Sequence, residues 1–199
     1  AERATLATIP GPNRGFPARL PRSPSDEPPT GAHMMNLADR CLSLGIEGVA
    51  AQVQAARVPA LDVARAFCDR VEALNPSLNA IIGYDRELVL DEARAVDARV
   101  AAGQRLPLAG VPITVKDNIW IGGRRIAQGS RLFEHFIAPR DAWSVARLRE
   151  KGAVVLGITN CSEFACKGVT SNPLFGVTRH PLDHSLTPGG SSGGAASAT

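Results

Sequence analysis

One short segment near the end of the sequence constrains the fold more than any other. It reads TPGGSSGG over residues 187–194, so that two serines lie between two pairs of glycines. Glycine permits backbone dihedrals that other residues avoid, and it lets the chain lie close to a bound molecule. Thr187-Pro188 favours a turn at the start of the segment, and the alanine-rich residues after the segment favour a helix. The segment is therefore predicted to be a tight loop that enters a helix N-terminus, and not a flexible linker.

A lysine earlier in the chain is the second candidate for chemistry. Lys116 follows the apolar run Ile113-Thr-Val115 and precedes Asp117-Asn118, which can hydrogen-bond a turn. A lysine at the end of a strand usually only reaches solvent. Here the packed run before it favours partial burial, and burial favours the neutral amine that accepts a proton. Lys116 is therefore a candidate base, and Ser191 is a candidate proton relay.

Composition argues against several classes of protein. The chain has 199 residues, 44% hydrophobic content and a net charge of +3, with basic and acidic residues interspersed. It shows no basic stripe for nucleic acid and no polybasic patch for a membrane surface, and its aromatic content of 5% is low for base stacking. No stretch approaches the roughly 18 consecutive apolar residues of a membrane span. We therefore expect one cytoplasmic domain, with neither nucleic acid nor a membrane indicated as a partner.

The sequence indicates no metal and no cofactor. His180 and His184 have helical spacing, but Pro181 and Asp183 favour a turn between them. The glycine-serine segment has Ala195 where a phosphate-binding loop carries lysine and then serine or threonine, and G-x-G-x-x-G is absent. The cysteines form no C-x-x-C pair, are few for a disulfide framework and have no evident histidine partner: Cys41, Cys68, Cys161 and Cys166.

Residues 1–33 differ in composition from the rest of the chain. They are rich in proline, carry scattered arginines and show no hydrophobic period, so we predict that they are disordered. Met34 and Met35 directly precede the first periodic segment, which suggests a vector-derived or upstream extension. An arginine-rich transit peptide is the alternative interpretation, which the prolines oppose.

Residues 34–199 alternate helical and strand patterns. Helices are predicted over 46–58, 61–74, 87–102 and 141–151, with a short helix over 162–167, and strands over 78–84, 111–115 and 153–158. Asn75-Pro76 is expected to end the second helix, Asp141 to cap the fourth, and 171–186 to be turn-rich and largely irregular. The alternation predicts an α/β fold with a mixed β-sheet flanked by helices.

From about residue 78 onwards the sequence resembles the amidase signature family. Five segments occur in the family's order: GVPITVKDNI over 110–119, AVVLGITN over 153–160, SEF over 162–164, SNPLFG over 171–176 and PGGSSGG over 188–194. The resemblance is weaker over the two leading helices and does not include residues 1–33. His180 departs from the asparagine that family members often carry, which leaves the details of that loop open.

The resemblance implies an amidase signature fold, incomplete in this chain, and an enzyme that hydrolyses a small-molecule carboxamide through an acyl-serine. The family uses a lysine, a serine in a cis peptide and a second, nucleophilic serine. Lys116 matches the lysine and Ser191 the cis serine, with Gly189, Gly190 and Ser192 as support in the same loop.

The family's nucleophile is expected beyond Thr199. The 199-residue chain is therefore expected to be inactive alone, and to self-associate through an uncovered sheet edge. Two alternatives stay open: a relative of the transamidation subunit of the tRNA-dependent amidotransferases, and a truncated product without catalytic function. The sequence does not specify the amide substrate.

Overall fold

The structure, a computed structural model, describes residues 35–199. The predicted disorder of residues 1–33 and the interpretations of their origin lie outside this range. Among the described residues, no helix combines the length and the apolar character needed to cross a bilayer. The helices are α1 (Leu37–Gln54), α2 (Ala60–Leu78), α3 (Arg86–Ala101), α4 (Trp143–Glu150) and α5 (Gly193–Ala198). The strands are β1 (Ile81–Gly83), β2 (Pro112–Lys116), β3 (Val154–Thr159), β4 (Ser171–Asn172) and β5 (Gly176–Val177).

A three-stranded mixed sheet with β3 at its centre organises the molecule. β3 pairs antiparallel with β1 and parallel with β2. All six residues of β3 are buried, as a continuous apolar run predicts for a strand covered on both faces. Lys116 and Thr159 are partners in the register, so β2 and β3 end side by side. The α/β fold with a mixed sheet that the sequence predicts is confirmed.

Side chains of β3 divide the core into two clusters. Val154 and Leu156 belong to a cluster with α1, α2 and α3. Val155 and Ile158 belong to a second cluster with Val115 of β2, Val145 of α4 and residues of the segment between β2 and α4. Successive side chains of a strand point to opposite faces, which separates Val155 from its two neighbours. The register shift between Val155 and Gly157 then changes the alternation, so that Ile158 lies on the same side as Val155. The sheet therefore lies between two packed layers, and β2 and β3 both end at its carboxyl edge.

The predicted end of α2 at Asn75-Pro76 was wrong. The helix continues to Leu78, with Asn79 in the left-handed conformation after it. Pro76 lies in the last turn, where the absence of its N–H removes only one helical hydrogen bond. The Asn75 side chain instead accepts bonds from the backbone N–H groups of Ala80 and Ile81, at 2.9 and 2.8 Å. Asn75 therefore shapes the exit from the helix and the entry into β1.

The predicted cap of α4 was also wrong, because the helix begins at Trp143 and Asp141 has another role. The Asp141 carboxylate accepts the backbone N–H of Gly122 at 2.7 Å and pairs with Arg149 at 2.8 Å. Arg149 also pairs with Glu92 of α3 at 2.5 Å. Arg149 thus joins α4 both to α3 and to the segment before α4, and Asp141 does not cap the start of the helix.

Other bounds differ from the prediction in part. The predicted strand 78–84 is only Ile81–Gly83, because α2 extends over its first residue. α1 is interrupted at Gly45, which has a φ of 66°, so its second segment begins at 46 as predicted but ends at Gln54 instead of 58. The first segment, which begins at Leu37, was not predicted. The Asn36 side chain accepts the backbone N–H of Asp39 and caps this earlier start.

Candidate active site

Lys116 and Ser191 meet at the carboxyl edge of the sheet. Lys116 is the last residue of β2 and is half-buried, whereas Ser191 lies in the loop that leads into α5. The Lys116 Nζ donates to Ser191 Oγ at 2.7 Å and to Ser192 Oγ at 2.9 Å. Two residues 75 positions apart in the sequence are therefore in direct hydrogen-bond contact.

The glycines before Ser191 are required by the path of the loop. Gly189 has a φ of 86°, in the left-handed region that favours glycine. A Cβ at Gly190 would lie 2.7 Å from backbone atoms of Val169, so only glycine fits there without displacing the chain. The peptide bond between Gly190 and Ser191 is cis. The backbone of the loop therefore lies directly against that of Val169, and the Ser191 hydroxyl contacts Lys116.

A buried hydroxyl bonds to both ends of this loop. Thr170 Oγ1 donates to the carbonyl oxygen of Gly189 at 2.9 Å and accepts the backbone N–H of Gly193 at 2.8 Å. Thr170 is fully buried. Sequence reasoning missed this residue, because it lies in a turn-rich segment where nothing distinguishes one threonine from another. The nearest signal is its position directly before the SNPLFG segment.

A network of buried amides supports the same edge of the sheet. Asn160, which directly follows β3, accepts the Asn172 side-chain N–H at 2.7 Å and donates to Thr178 Oγ1 at 3.0 Å. Its backbone carbonyl accepts the N–H of Gly194, at 3.2 Å. Buried polar groups that bond one another fix a single arrangement, because breaking any bond leaves a group unsatisfied. The network ties the end of β3 to the start of α5.

Asp117 fixes the chain directly after the lysine. Its carboxylate is buried and accepts the backbone N–H groups of Ala127 and Gly129, both at 2.9 Å. Burial raises the pKa of this carboxyl group, whereas the two N–H bonds and the charge of Arg125 act in the opposite direction. Asp117 also donates its backbone N–H to Thr159, which continues the pairing beyond Lys116. The position of the lysine backbone is thus fixed from both sides.

The SEF segment contacts the serine loop. The Ser162 backbone N–H donates to the Ser191 carbonyl at 3.4 Å, and that of Phe164 donates to Gln128 at 2.9 Å. The short helix predicted over 162–167 is only a 3₁₀ turn over Glu163–Ala165. Phe164 has a φ of 51°, which prevents the chain from continuing as a regular helix.

The histidines and cysteines considered from the sequence make no hydrogen bond with Lys116 or Ser191 among the described residues. His180 Nδ1 accepts the backbone N–H of Leu182 within its own loop. Cys161 is fully buried, and its burial together with the nearby charge of Asp117 raises the pKa of the thiol to about 11. Within residues 35–199, no group of three or more histidines, cysteines or acidic residues is arranged to hold a metal ion.

Solved structures with this arrangement of helices and strands are amidase signature enzymes. The chain resembles the peptide amidase of Stenotrophomonas maltophilia, with a TM-score of 0.71 and 36% identity over 77% of this chain and 33% of that one. It also resembles a bacterial aryl acylamidase, with a TM-score of 0.71 and 28% identity over 75% of this chain and 32% of that one. The amidase signature fold that the sequence predicts is confirmed.

The sequence comparison agrees. Residues 62–199 match the profile of the Amidase family, and the chain belongs to this family. It is 48% identical, over 151 residues, to a glutamyl-tRNA(Gln) amidotransferase subunit of Acidothermus cellulolyticus. That match covers 75% of this chain and 30% of the relative, so the chain spans about a third of the length of the proteins that it resembles.

Proposed function

We propose that this chain supplies the lysine and the relay serine of an amidase that hydrolyses a carboxamide to a carboxylate and ammonia or an amine. The observation that carries the proposal is the distance of 2.7 Å between Lys116 Nζ and Ser191 Oγ. A lysine amine and a serine hydroxyl in contact can pass a proton in either direction, which is the requirement for activating a further nucleophile. Membership of the Amidase family supports the reaction class.

The proposed reaction combines this contact with the second, nucleophilic serine that the family resemblance implies. In its neutral form Lys116 accepts the proton of the Ser191 hydroxyl, while Ser191 accepts the proton of a second, nucleophilic serine. The nucleophile attacks the amide carbon, and the proton returns through Ser191 to the leaving nitrogen as the carbon–nitrogen bond breaks. Water then attacks the acyl-serine by the same proton path and releases the carboxylate. We assign the nucleophile to sequence outside these 199 residues.

The remaining residues of the loop have supporting roles in this proposal. Gly189 and Gly190 allow the backbone path that directs Ser191 towards the amine. Ser192 Oγ, at 2.9 Å from Lys116 Nζ, is a second acceptor that holds the amine beside Ser191. Ser192 thus orients the base without lying on the proton path.

A small-molecule amide in the cytoplasm is the substrate class that we propose. The cysteines of the described residues are all free thiols, which is typical of a reducing compartment. A second candidate is transamidation of a mis-acylated tRNA, and the 48% identity to a glutamyl-tRNA(Gln) amidotransferase subunit favours it. That role requires protein partners and a tRNA substrate, whereas a simple amidase hydrolyses a free amide alone.

The experiment compares three single substitutions in the complete enzyme that contains these residues. Lys116→Ala and Ser191→Ala are each expected to lower kcat for an aryl amide by about 100- to 10,000-fold, since each interrupts proton transfer. Ser192→Ala is the matched control in the same loop and is expected to cost far less. Near-normal turnover by either of the first two variants, or an equal loss at both serines, would contradict the assignment.

A further inference from the structure

We propose that Thr170 is a positioning residue for Ser191. Its hydroxyl holds both ends of the loop 189–193, so that the serine hydroxyls stay in contact with Lys116. The inference rests on the proposed function for its catalytic meaning, but the positioning itself is a property of the folded chain and can be tested separately.

The two bonds of Thr170 require a hydroxyl. Oγ1 uses its proton towards the Gly189 carbonyl and a lone pair towards the Gly193 N–H, at 2.9 and 2.8 Å. A hydroxyl is both a donor and an acceptor, whereas the valine side chain of the same shape is neither. Because the residue is fully buried, no solvent is available to replace the lost bonds. Serine is the conservative replacement that keeps both.

Thr170 accepts one of the backbone N–H groups that the start of α5 leaves without a partner inside the helix. Ser192 occupies the N-cap position of α5, but its side chain makes no capping bond. Its hydroxyl instead accepts a bond from Lys116. The N–H of Gly193, the first residue of α5, donates to Thr170 Oγ1, and that of Gly194 donates to the Asn160 carbonyl, so that neither depends on Ser192. This arrangement frees Ser192 to contact Lys116.

The position of Thr170 is itself fixed by the strands beside it. The backbone carbonyl of Thr170 accepts the N–H of Thr178 at 3.0 Å, next to the pairing of β4 with β5. Ser197 of α5 offers a control, because it is also buried. Its hydroxyl donates to the Arg179 carbonyl at 2.9 Å, and this bond lies outside the loop 189–193.

The first test measures reductive methylation of lysine with ¹³C-formaldehyde in the 199-residue chain. The sequence contains Lys116, Lys151 and Lys167, and the latter two are exposed and serve as internal standards. Thr170→Val is expected to raise the methylation rate of Lys116 relative to these standards, because its two serine partners move away. Thr170→Ser and Ser197→Ala are expected to leave the ratio unchanged. An unchanged ratio in Thr170→Val, or an equal rise in Ser197→Ala, would overturn the proposal.

A second measurement needs no substitution that risks unfolding the chain. Hydrogen exchange of the Gly193 backbone N–H can be measured in the wild-type chain. We expect this exchange to be slow, because the N–H donates to the buried Thr170 hydroxyl. Exchange of this amide as fast as that of an exposed loop would overturn the inference.

In the complete enzyme, Thr170→Val is expected to lower kcat for an aryl amide by about 10- to 100-fold with little change in KM, since small misplacements of a catalytic group have effects of this size. Thr170→Ser is expected to restore kcat. If Thr170→Val raises the methylation of Lys116 but leaves kcat unchanged, Thr170 positions the loop and the proposed catalytic role of Lys116 and Ser191 is wrong. If neither the methylation ratio nor kcat changes, the positioning role of Thr170 is wrong.

Discussion

At the scale of single residues, burial separates the cysteines by reactivity. Cys166 is exposed, whereas the other three are buried. Burial raises the pKa of the Cys41 and Cys68 thiols and, together with the charge of Asp117, that of Cys161 to about 11. A raised pKa leaves little thiolate near neutral pH, and the thiolate is the reactive form.

We therefore predict that dithionitrobenzoate titrates one thiol in the folded chain, and all four after denaturation. Cys166→Ser should abolish the fast reaction, and Cys161→Ser should leave it intact. Rapid modification of Cys161 in the folded chain would contradict the buried position beside the candidate site.

Some residues of the candidate site could be predicted from the sequence, and others could not. The Lys116 and Ser191 segments each carry a recognisable pattern, so their roles could be proposed before any geometry was available. Thr170 could not be found in this way, because the value of its hydroxyl depends on which backbone groups the fold brings beside it. The same holds for Asp117, whose carboxylate bonds to backbone N–H groups ten and twelve positions later.

At the scale of secondary-structure elements, α2 is capped by a side chain from another helix. Its N-cap position is Pro59, which makes no side-chain capping bond. Asp97 of α3 instead accepts the backbone N–H groups of Ala60 and Leu61, at 2.7 and 3.0 Å. Helix N-termini leave such donors unsatisfied, and a negative charge there also interacts favourably with the helix dipole.

Asp97→Ala is expected to lower the free energy of unfolding by about 0.5–2 kcal/mol, the usual effect of losing an N-cap. Asp91→Ala is the control, since Asp91 lies on the exposed side of α3 and pairs only with Arg94 in the next turn. Urea denaturation of the two variants would measure the difference. Equal stability of both would show that the contact between α2 and α3 does not depend on this cap.

The elements that the sequence predicted best are those whose burial is uniform. β3 was predicted almost to the residue, because a continuous apolar run of this length between turn residues is typical of a covered strand. Ends of elements were predicted less well where a polar side chain has distant partners. Asp141 resembles a helix cap in the sequence, but Arg149 and the Gly122 N–H compete for its carboxylate. No local pattern encodes that competition.

At the scale of the whole molecule, the sheet has outer edges that the described residues leave without strand partners. Within 35–199, β1 and β2 each pair only with β3. Unpaired edges accept further strands, so self-association of the 199-residue chain remains a prediction. The Lys116–Ser191 pair lies where β2 and β3 end. In the proposed function, the nucleophilic serine from outside these residues would contact the pair there.

We propose that Lys116 and Ser191 form a proton relay and that the nucleophilic serine lies outside these 199 residues. A serine-reactive fluorophosphonate, applied to the complete enzyme and located by peptide mass spectrometry, tests this most directly. We expect one labelled serine outside the 199 residues, with labelling strongly reduced in Lys116→Ala and Ser191→Ala because the nucleophile is no longer activated. A stable adduct on Ser191 or Ser192, at full occupancy in the wild-type enzyme, would contradict it.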